Sequence, residues 1–315
     1  MLSVIVPAHN EERYIEKCLS SLLNQKYKDY EIIVVNDGST DKTEQIVKEF
    51  QKKSKRIKLL SFKQGHSAAF ARNRGAEKAK GEILVFIDAD QFVKKDFLSK
   101  IAKNFQNKEI EALVGKTLGA SQTFIGKCYA ARKWLFWLTR QNKKQILTKD
   151  KPGCILAIRK KTFLDLKGYN EAIFYREDSD FADRTKERHK VLFNPQIIIY
   201  HYDPENFEEV VRHAKWVGKG LATDIKYFGL RKDSLIRLSE IIFWPLFLFI
   251  SLVSIFFWPL QILLLFMLLF PLFYTSKTWY FSKDFLHSFG FLLLSIPKSF
   301  ISTYFLIKHI IKKNV

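Results

Sequence analysis

The sequence predicts an α/β protein built on a mostly parallel sheet and continued by helices apolar enough for a membrane. Three observations carry this. Strand-like and helix-like runs alternate through the first hundred residues. Polar and acidic residues (His9, Glu11, Asp37, Asp88 and Asp90) gather where the strands end. Between positions 241 and 276 there is no charged residue.

The early strands are expected at 2–6, 32–35, 57–62 and 83–87, each a short apolar run. Helices are expected at 11–24, 41–53 and 67–80. The first places Tyr14, Ile15, Cys18, Leu19, Leu22 and Leu23 on one stripe at the helical period. The second opens on Ser39-Thr40-Asp41 with Glu44 following, the spacing of a capping box. Alternation of this kind implies a parallel sheet covered by helices, with ligands bound outside the carboxyl ends of its strands. Short strands are expected at 112–114, 155–158, 191–193 and 197–200. The basic, aromatic, Gln-rich stretch 127–151 reads as a loop carrying a helix. This α/β domain is expected to end near residue 205.

Residues 206–240 mix Lys and Arg with Val, Trp, Leu and Ile at helical spacing, broken at Gly218, Gly220 and Gly229. They read as amphipathic interfacial helices. The uncharged run that follows is too long for one span, since about 20 residues cross a bilayer core of about 30 Å. Trp258-Pro259 lies near its middle, so two membrane helices are expected, about 241–257 and 260–275. One long buried helix is the alternative, but almost every face of it would need covering. A third apolar segment, 285–307, carries His287, Pro297 and Lys298, and either spans or lies in the interface. Arg231, Lys232 and Arg237 before the first span, and Lys277 and Lys283 after the second, put that side in the cytoplasm by the positive-inside rule. Lys308, Lys312 and Lys313 would then fall outside if the third segment crossed. The expected location is a multi-pass membrane protein with its α/β domain on the cytoplasmic side.

The chain has 315 residues, 29 of them Phe, and a formal net charge of +20. That excess implies an anionic partner: nucleic acid, a phosphorylated substrate or an anionic lipid surface. Cys18, Cys128 and Cys154 are scattered, with no CxxC or Cys/His zinc spacing, so neither a disulfide framework nor a zinc site is expected and a reducing compartment is. Val4-Ile5-Val6 is too short an apolar run for a signal-peptide core and reads as the first strand. No GxxxxGK[ST] loop is present, and no GxGxxG follows the first strand, which argues against P-loop and dinucleotide chemistry.

The stretch ILVFIDADQF, residues 83–92, runs a buried strand into Asp88-Ala89-Asp90. Alternate side chains of a strand share a face, so the two carboxylates are expected to converge at its end. Alone they repel. A divalent cation between them and a polyphosphate makes the arrangement favourable, and Mg²⁺ or Mn²⁺ suits such oxygen ligands. A lone DxD also occurs by chance in surface loops.

Taken together, VIVPAHNEERYIEKCLSSLLNQ, EIIVVNDGSTDKT and AAFARNRGAEKAKGEILVFIDAD resemble the family 2 inverting glycosyltransferases with the GT-A nucleotide-diphospho-sugar fold. The resemblance covers about residues 1–205. The membrane region is similar to that of members acting on lipid-linked acceptors, such as polyprenyl-phosphate sugar synthases. The resemblance implies that Pro7, His9, Glu11 and Asp37 hold the base and ribose, with Arg72 near the nucleotide. It implies that Asp88, Ala89 and Asp90 meet the ribose and the metal. A carboxylate such as Asp37 can accept from a uracil or guanine N–H. The residue-level alternatives are a helix-flanking His9, a simple turn at Asp37-Gly38-Ser39, and a solvated helix face for Arg72.

Displacement at the anomeric carbon needs a base for the acceptor hydroxyl and stabilisation of the leaving diphosphate. YREDSDF offers the base. The family pattern points to Glu177-Asp178, with Asp178 as the base and Asp180 next; the plainer reading is an acidic helix start favoured by the dipole. Some family members place a metal-binding His where His201 stands, although a lone His at a strand end is more often structural. RHAKWVGKG resembles loosely an element near the diphosphate or acceptor, which would give roles to Arg212, Lys215 and Trp216. The same residues suit an interfacial helix with its cations on lipid headgroups.

The expected activity is therefore metal-dependent transfer from a nucleotide-diphosphate sugar, UDP-sugar first and GDP-mannose second, to a lipid-linked glycan or a polyprenyl phosphate. Membrane lipids are expected partners. A non-catalytic nucleic-acid or membrane binder is the alternative of a different class. No helix-turn-helix, RNP or zinc-finger pattern supports nucleic-acid binding, so none is expected.

Overall fold

The computed structural model describes residues 1–138, 146–147, 154–173, 176–230, 232–254, 259–282 and 284–311. The chain forms two compact units: residues 1–118 with 143–201, and residues 119–142 with 202–315. In chain order the first unit runs β1 (Leu2–Ala8), α1 (Ile15–Leu23), β2 (Tyr30–Asp37), α2 (Thr43–Lys53), β3 (Ile57–Phe62), α3 (Ala68–Lys78), β4 (Ile83–Phe86), β5 (Gln91–Val93), α4 (Phe97–Asn104) and β6 (Ala112–Gly119). The chain enters the second unit with α5 (Phe124–Leu138). It returns to the first with β7 (Ile146–Leu147), β8 (Ala157–Arg159), α6 (Lys160–Asp165), α7 (Glu177–Arg188) and β9 (Val191–His201). The second unit then closes with α8 (Phe207–Phe228), α9 (Lys232–Ser254), α10 (Pro259–Ser282) and α11 (Phe285–Ile311).

The sheet of the first unit has the order β3-β2-β1-β4-β8-β6-β9-β5, with β7 paired to β9. β3, β2, β1 and β4 are parallel; in register, Ile5 faces Ile33 on one side and Phe86 on the other. β8 pairs antiparallel with β4 and β6, and β5 pairs antiparallel with β9. Val4, Ile5 and Val6 of β1 and Ile32 to Val35 of β2 are fully buried, as continuous apolar runs are when helices cover both faces of a parallel sheet. α3 lies directly on β1: a Cβ at Gly75 would sit 2.5 Å from Ile5 Cγ2. The chain winds from β1 through β2 to β3, then crosses to β4 on the other side of β1. Such a reversal opens a crevice at the carboxyl ends of the strands.

Several local expectations change. β4 ends at Phe86, so Asp88 and Asp90 occupy a turn beyond the strand rather than its alternating positions. The capping box does not form. Asp41, in the turn before α2, accepts from the Thr43 N–H at 2.9 Å, while Glu44 accepts from Asn36 Nδ2 at 3.0 Å. Helix α3 does start as expected, with Ser67 Oγ accepting from the Phe70 N–H. The two short strands expected around 191–200 are one strand, β9, that runs through Asn194-Pro195, a pair that reads as a turn in sequence.

In the second unit, α8 and α11 cross closely. A Cβ at Gly218 would lie 2.2 Å from the Ser302 carbonyl oxygen, and Ser302 Oγ donates to the Ala214 carbonyl at 2.9 Å. α9 contains Pro245, which has no N–H for the carbonyl of Ile241 one turn earlier. That carbonyl instead accepts from Ser299 Oγ and, at 2.9 Å, from Thr303 Oγ1 of α11. Trp244 Nε1 also donates to Ser295 Oγ at 2.9 Å.

By length and composition, Arg237–Ser254, Leu263–Tyr280 and Phe285–Ile311 are each long and apolar enough to cross a membrane. Their outward faces leave Phe249, Leu265, Phe266 and Phe273 exposed. The segment expected at 285–307 is a continuous helix through Pro297. Arg231, Trp258, Lys283, Lys312, Lys313, residues 139–145 and 148–151, and the side chain of Lys232 lie outside the described residues.

Candidate active site

The first unit assembles its polar groups at the carboxyl ends of β1, β2 and β4. The loop after β1 is stitched to the loop after β2. The Asn10 N–H donates to Ser39 Oγ at 3.0 Å, the Thr40 N–H to Asn10 Oδ1 at 2.8 Å, and the Glu11 N–H to Thr43 Oγ1 at 2.7 Å. Asn10 holds a positive φ of 58°, tolerable for an Asn whose side chain bonds locally. His9 Nδ1–H donates to the Asp37 carbonyl at 2.7 Å, and its Nε2 accepts from Asn10 Nδ2 at 3.3 Å. Pro7 pairs with Val35 in the sheet just behind.

Asp37 is buried, and His66 engages both its oxygens: the His66 N–H donates to Oδ2 at 2.8 Å and Nδ1–H to Oδ1 at 2.9 Å. The His66 ring stacks on Phe70 at 4.0 Å. Gly38 makes the turn beneath this pair. Its φ is +70°, and a Cβ there would lie 2.4 Å from the Gly65 nitrogen. Any larger residue would push the Gly65-His66 backbone off Asp37.

Arg72, on α3, is the hinge of the site. It is 9% exposed, donates from Nη2 to Asp88 Oδ1 at 2.8 Å and from Nη1 to Glu177 Oε1 at 2.8 Å, and lies over the Tyr169 ring. Burial works against the guanidinium charge, but Asp88, Tyr169 and Glu177 hold its pKa well above the ordinary value. Burial pushes the Glu177 carboxyl up, and Arg72 acts in the opposite sense. Burial likewise raises the Tyr169 phenol.

Asp88 and Asp90 have different partners. Asp88 gives Oδ1 to Arg72 and Oδ2 to Gln91 Nε2 at 3.0 Å. Asp90 Oδ2 stands 3.4 Å from His201 Nε2, because the β5–β9 register sets Gln91 opposite His201. Ala89 between them is buried. Beneath the turn, burial raises the Cys18 thiol, with Asp90, Asp88 and Glu11 adding to the shift, so Cys18 stays protonated.

This donor set fits a divalent ion in part. Asp90, whose Oδ1 is buried, and His201 place carboxylate oxygen and imidazole nitrogen side by side, a pairing that suits Mn²⁺ or Mg²⁺. Asp88 is committed to Arg72 and Gln91 and does not join them as expected. Among the described residues no three His, Cys, Asp or Glu side chains form a ready-made cage. Phosphate oxygens of a substrate would have to complete the coordination.

Asp178 lies in the first turn of α7. Its Oδ1 accepts from the Ser179 N–H at 2.7 Å and its Oδ2 from the Cys154 thiol. Arg176 precedes the helix in the left-handed region, with φ 65°. Asp180 is tied to Arg184 Nε at 2.9 Å, and that guanidinium also donates to the carbonyls of Leu166 and Gly168. Asp180 therefore supports the 166–168 turn. Arg212, Lys215 and Trp216 belong to α8 in the second unit: Arg212 faces Glu208 at 3.4 Å, Lys215 lies over Phe305, and Trp216 is exposed.

Sequence reasoning missed His66, Gln91 and Cys154. His66 precedes a helix in a glycine-containing loop and has no periodic signal. Gln91 bonds Asp88 within the same turn, which no periodic signal marks, and Cys154 meets Asp178 only through the fold.

Residues 3–167, just over half of the chain, match the family described as Glycosyl transferase family 2. The protein named GalNAc(5)-diNAcBac-PP-undecaprenol beta-1,3-glucosyltransferase of Campylobacter jejuni is 32% identical over 190 residues, 59% of this chain and 60% of that relative. For three further bacterial relatives named as glycosyltransferases the matched stretch spans 16%, 40% and 38% of their length. Two solved structures share the fold. The mannosyltransferase PcManGT of Pyrobaculum calidifontis, in complex with GDP-Man and Mn²⁺, has a TM-score of 0.57 at 18% identity, covering 95% of this chain and 86% of that one. S. aureus TarS in complex with UDP has a TM-score of 0.52 at 21% identity, covering 70% of this chain and 65% of that one.

Proposed function

The chain belongs to glycosyl transferase family 2, and from that membership we propose that it moves a sugar, with inversion, from a nucleotide-diphosphate donor to a lipid-linked acceptor at the cytoplasmic membrane face. The observation that carries the reading is the Arg72 bridge. One buried guanidinium ties the acidic turn at Asp88 to the first turn of α7 at Glu177, so the residues suited to a nucleotide and those suited to an acceptor lie on one frame.

In this reading Asp37, oriented by His66, accepts an N–H of the base, and His9 and Glu11, on the loop bonded to the one after β2, help hold base and ribose. UDP-sugar is the first choice of donor and GDP-mannose the second. Asp90 and His201 would hold a divalent ion, which would supply charge neutralisation for the leaving diphosphate. Asp178 takes the proton of an acceptor hydroxyl; the Ser179 N–H, donating to its Oδ1, orients the carboxylate. The acceptor assignment is supported by the three membrane-length helices and by the undecaprenol-linked substrate in the name of the Campylobacter relative. A polyprenyl phosphate is the alternative acceptor, and it would need no strong base.

The test uses the purified full chain, a panel of UDP- and GDP-sugars, Mn²⁺, and polyprenyl-phosphate and hydroxyl acceptors. Asp178→Asn should spare nucleotide binding and slow transfer to a hydroxyl by about 10²-fold or more. A wild-type rate on that acceptor removes Asp178 from the role. Asp90→Ala should abolish turnover and the metal-dependent part of nucleotide affinity.

A further inference from the structure

The α8–α11 crossing builds a cationic cluster that the sugar-transfer reading does not use. Lys215 Nζ and Lys219 Nζ of α8 lie 5.5 and 5.7 Å from the centroid of the Phe305 ring, and Lys308 Nζ of α11 lies 5.9 Å from the same centroid. No two of these ammonium groups are then more than about 12 Å apart, at most about one and a half screening lengths at physiological salt. None of the three has a carboxylate partner among the described residues; Lys308 donates only to Tyr304 OH, at 3.5 Å. Arg212, on the same helix, is by contrast paired with Glu208.

The spacing explains the convergence. Lys215 and Lys219 are one turn apart on α8, and Phe305 and Lys308 are one turn apart on α11. The Gly218–Ser302 contact brings these faces together, because only a glycine admits so close a crossing there. All three lysines are exposed residues, and their ammonium groups lie over the phenyl ring. Exposed Trp216, Tyr304 and Ile307 stand on the flanks. Three cations beside exposed aromatic and aliphatic side chains match the chemistry of a bilayer interface rather than that of bulk solvent, and their meeting at one ring fits α11 lying in the interface.

We infer that Lys215, Lys219 and Lys308 form a binding site for the phosphate of an anionic phospholipid headgroup, with Phe305 as its floor. The ammonium groups hold the phosphate oxygens, and Trp216, Tyr304 and Ile307 meet the glycerol and upper acyl region. The site stands whether or not the sugar-transfer reading holds.

The test uses the full chain, lipid-depleted in neutral detergent and titrated with short-chain phosphatidylglycerol or phosphatidylcholine. Retained lipid is counted by native mass spectrometry, and the lipid-induced rise in melting temperature is read in parallel. Wild type should retain phosphatidylglycerol in preference to phosphatidylcholine. The variant Lys215→Gln/Lys219→Gln/Lys308→Gln should bind phosphatidylglycerol about 10-fold more weakly or worse, with phosphatidylcholine unchanged. A charge-matched control, Lys52→Gln/Lys53→Gln/Lys55→Gln at the end of α2, should behave as wild type. Equal loss in the control would reduce the effect to net charge and overturn the site. Undiminished phosphatidylglycerol retention in the cluster variant, confirmed as helical by circular dichroism, would also overturn it. So would displacement by inorganic phosphate at equimolar concentration, which would identify free phosphate as the occupant.

Discussion

Arg72 Nη1 donates to Glu177 at 2.8 Å, joining residues 105 positions apart in the chain. Both side chains are nearly excluded from solvent, so this is a buried ion pair rather than a surface one. The same guanidinium holds Asp88. Breaking such a pair by removing one member leaves a charge buried without compensation.

Arg72→Met should therefore lower stability by about 3–5 kcal/mol, measured by denaturant unfolding of the full chain in detergent. The loss should depend on pH, and its sign follows from Glu177. Burial already raises that carboxyl, with Arg72 holding it down. Without Arg72 it rises further, and the folded chain binds a proton that the unfolded chain does not. The penalty is then complete above the raised folded value and shrinks as pH falls toward the ordinary glutamate range. The variant should lose more stability near pH 8 than near pH 5. A pH-independent loss would mean that Glu177 does not titrate in response.

His66→Ala removes the imidazole donor from Asp37 and leaves only the backbone N–H to orient the carboxylate. Donor-nucleotide binding should weaken about 5- to 10-fold by calorimetry, the net worth of about one ordinary hydrogen bond, since the carboxylate keeps its backbone donor. The turnover number at saturation should change less. His66→Asn, which keeps a side-chain donor, should recover part of the affinity. Tighter binding in the alanine variant would show instead that the imidazole covers Asp37 and must leave.

Pro245 and the two hydroxyls above it should behave as a coupled set. Ser299→Ala with Thr303→Val strips both donors from the Ile241 carbonyl, and should cost about 1–3 kcal/mol in thermal melts of the detergent-solubilised chain. In a Pro245→Ala background the residue-245 N–H can satisfy that carbonyl within α9. The same double substitution should then cost clearly less. Equal costs in the two backgrounds would mean that the hydroxyls serve packing and not the proline gap.

Much of the frame was legible in the residues. Alternating apolar runs and amphipathic stripes specified β1 to β4 and the helices between them, because burial on both faces of a parallel sheet leaves a continuous apolar signature. Asp37 and the DAD turn were legible from their places after such runs. Less legible was everything made by antiparallel return strands. β5 is three residues long, and β9 runs through an Asn-Pro pair, so local chemistry argued against both. Yet the β5–β9 register is what sets His201 beside Asp90.

The sequence by itself determined the α/β class, the acidic residues at the strand ends, the family resemblance and the three long apolar stretches, because each is written in local spacing and composition. Only the tertiary structure decided the partners. It committed Asp88 to Arg72, set Asp90 against His201, placed His66 on Asp37, and gave the Ile241 carbonyl to Ser299 and Thr303. The physical reason is common to all four. A hydrogen bond or ion pair between residues far apart in the chain depends on where the backbone carries two side chains, and no local pattern encodes that distance.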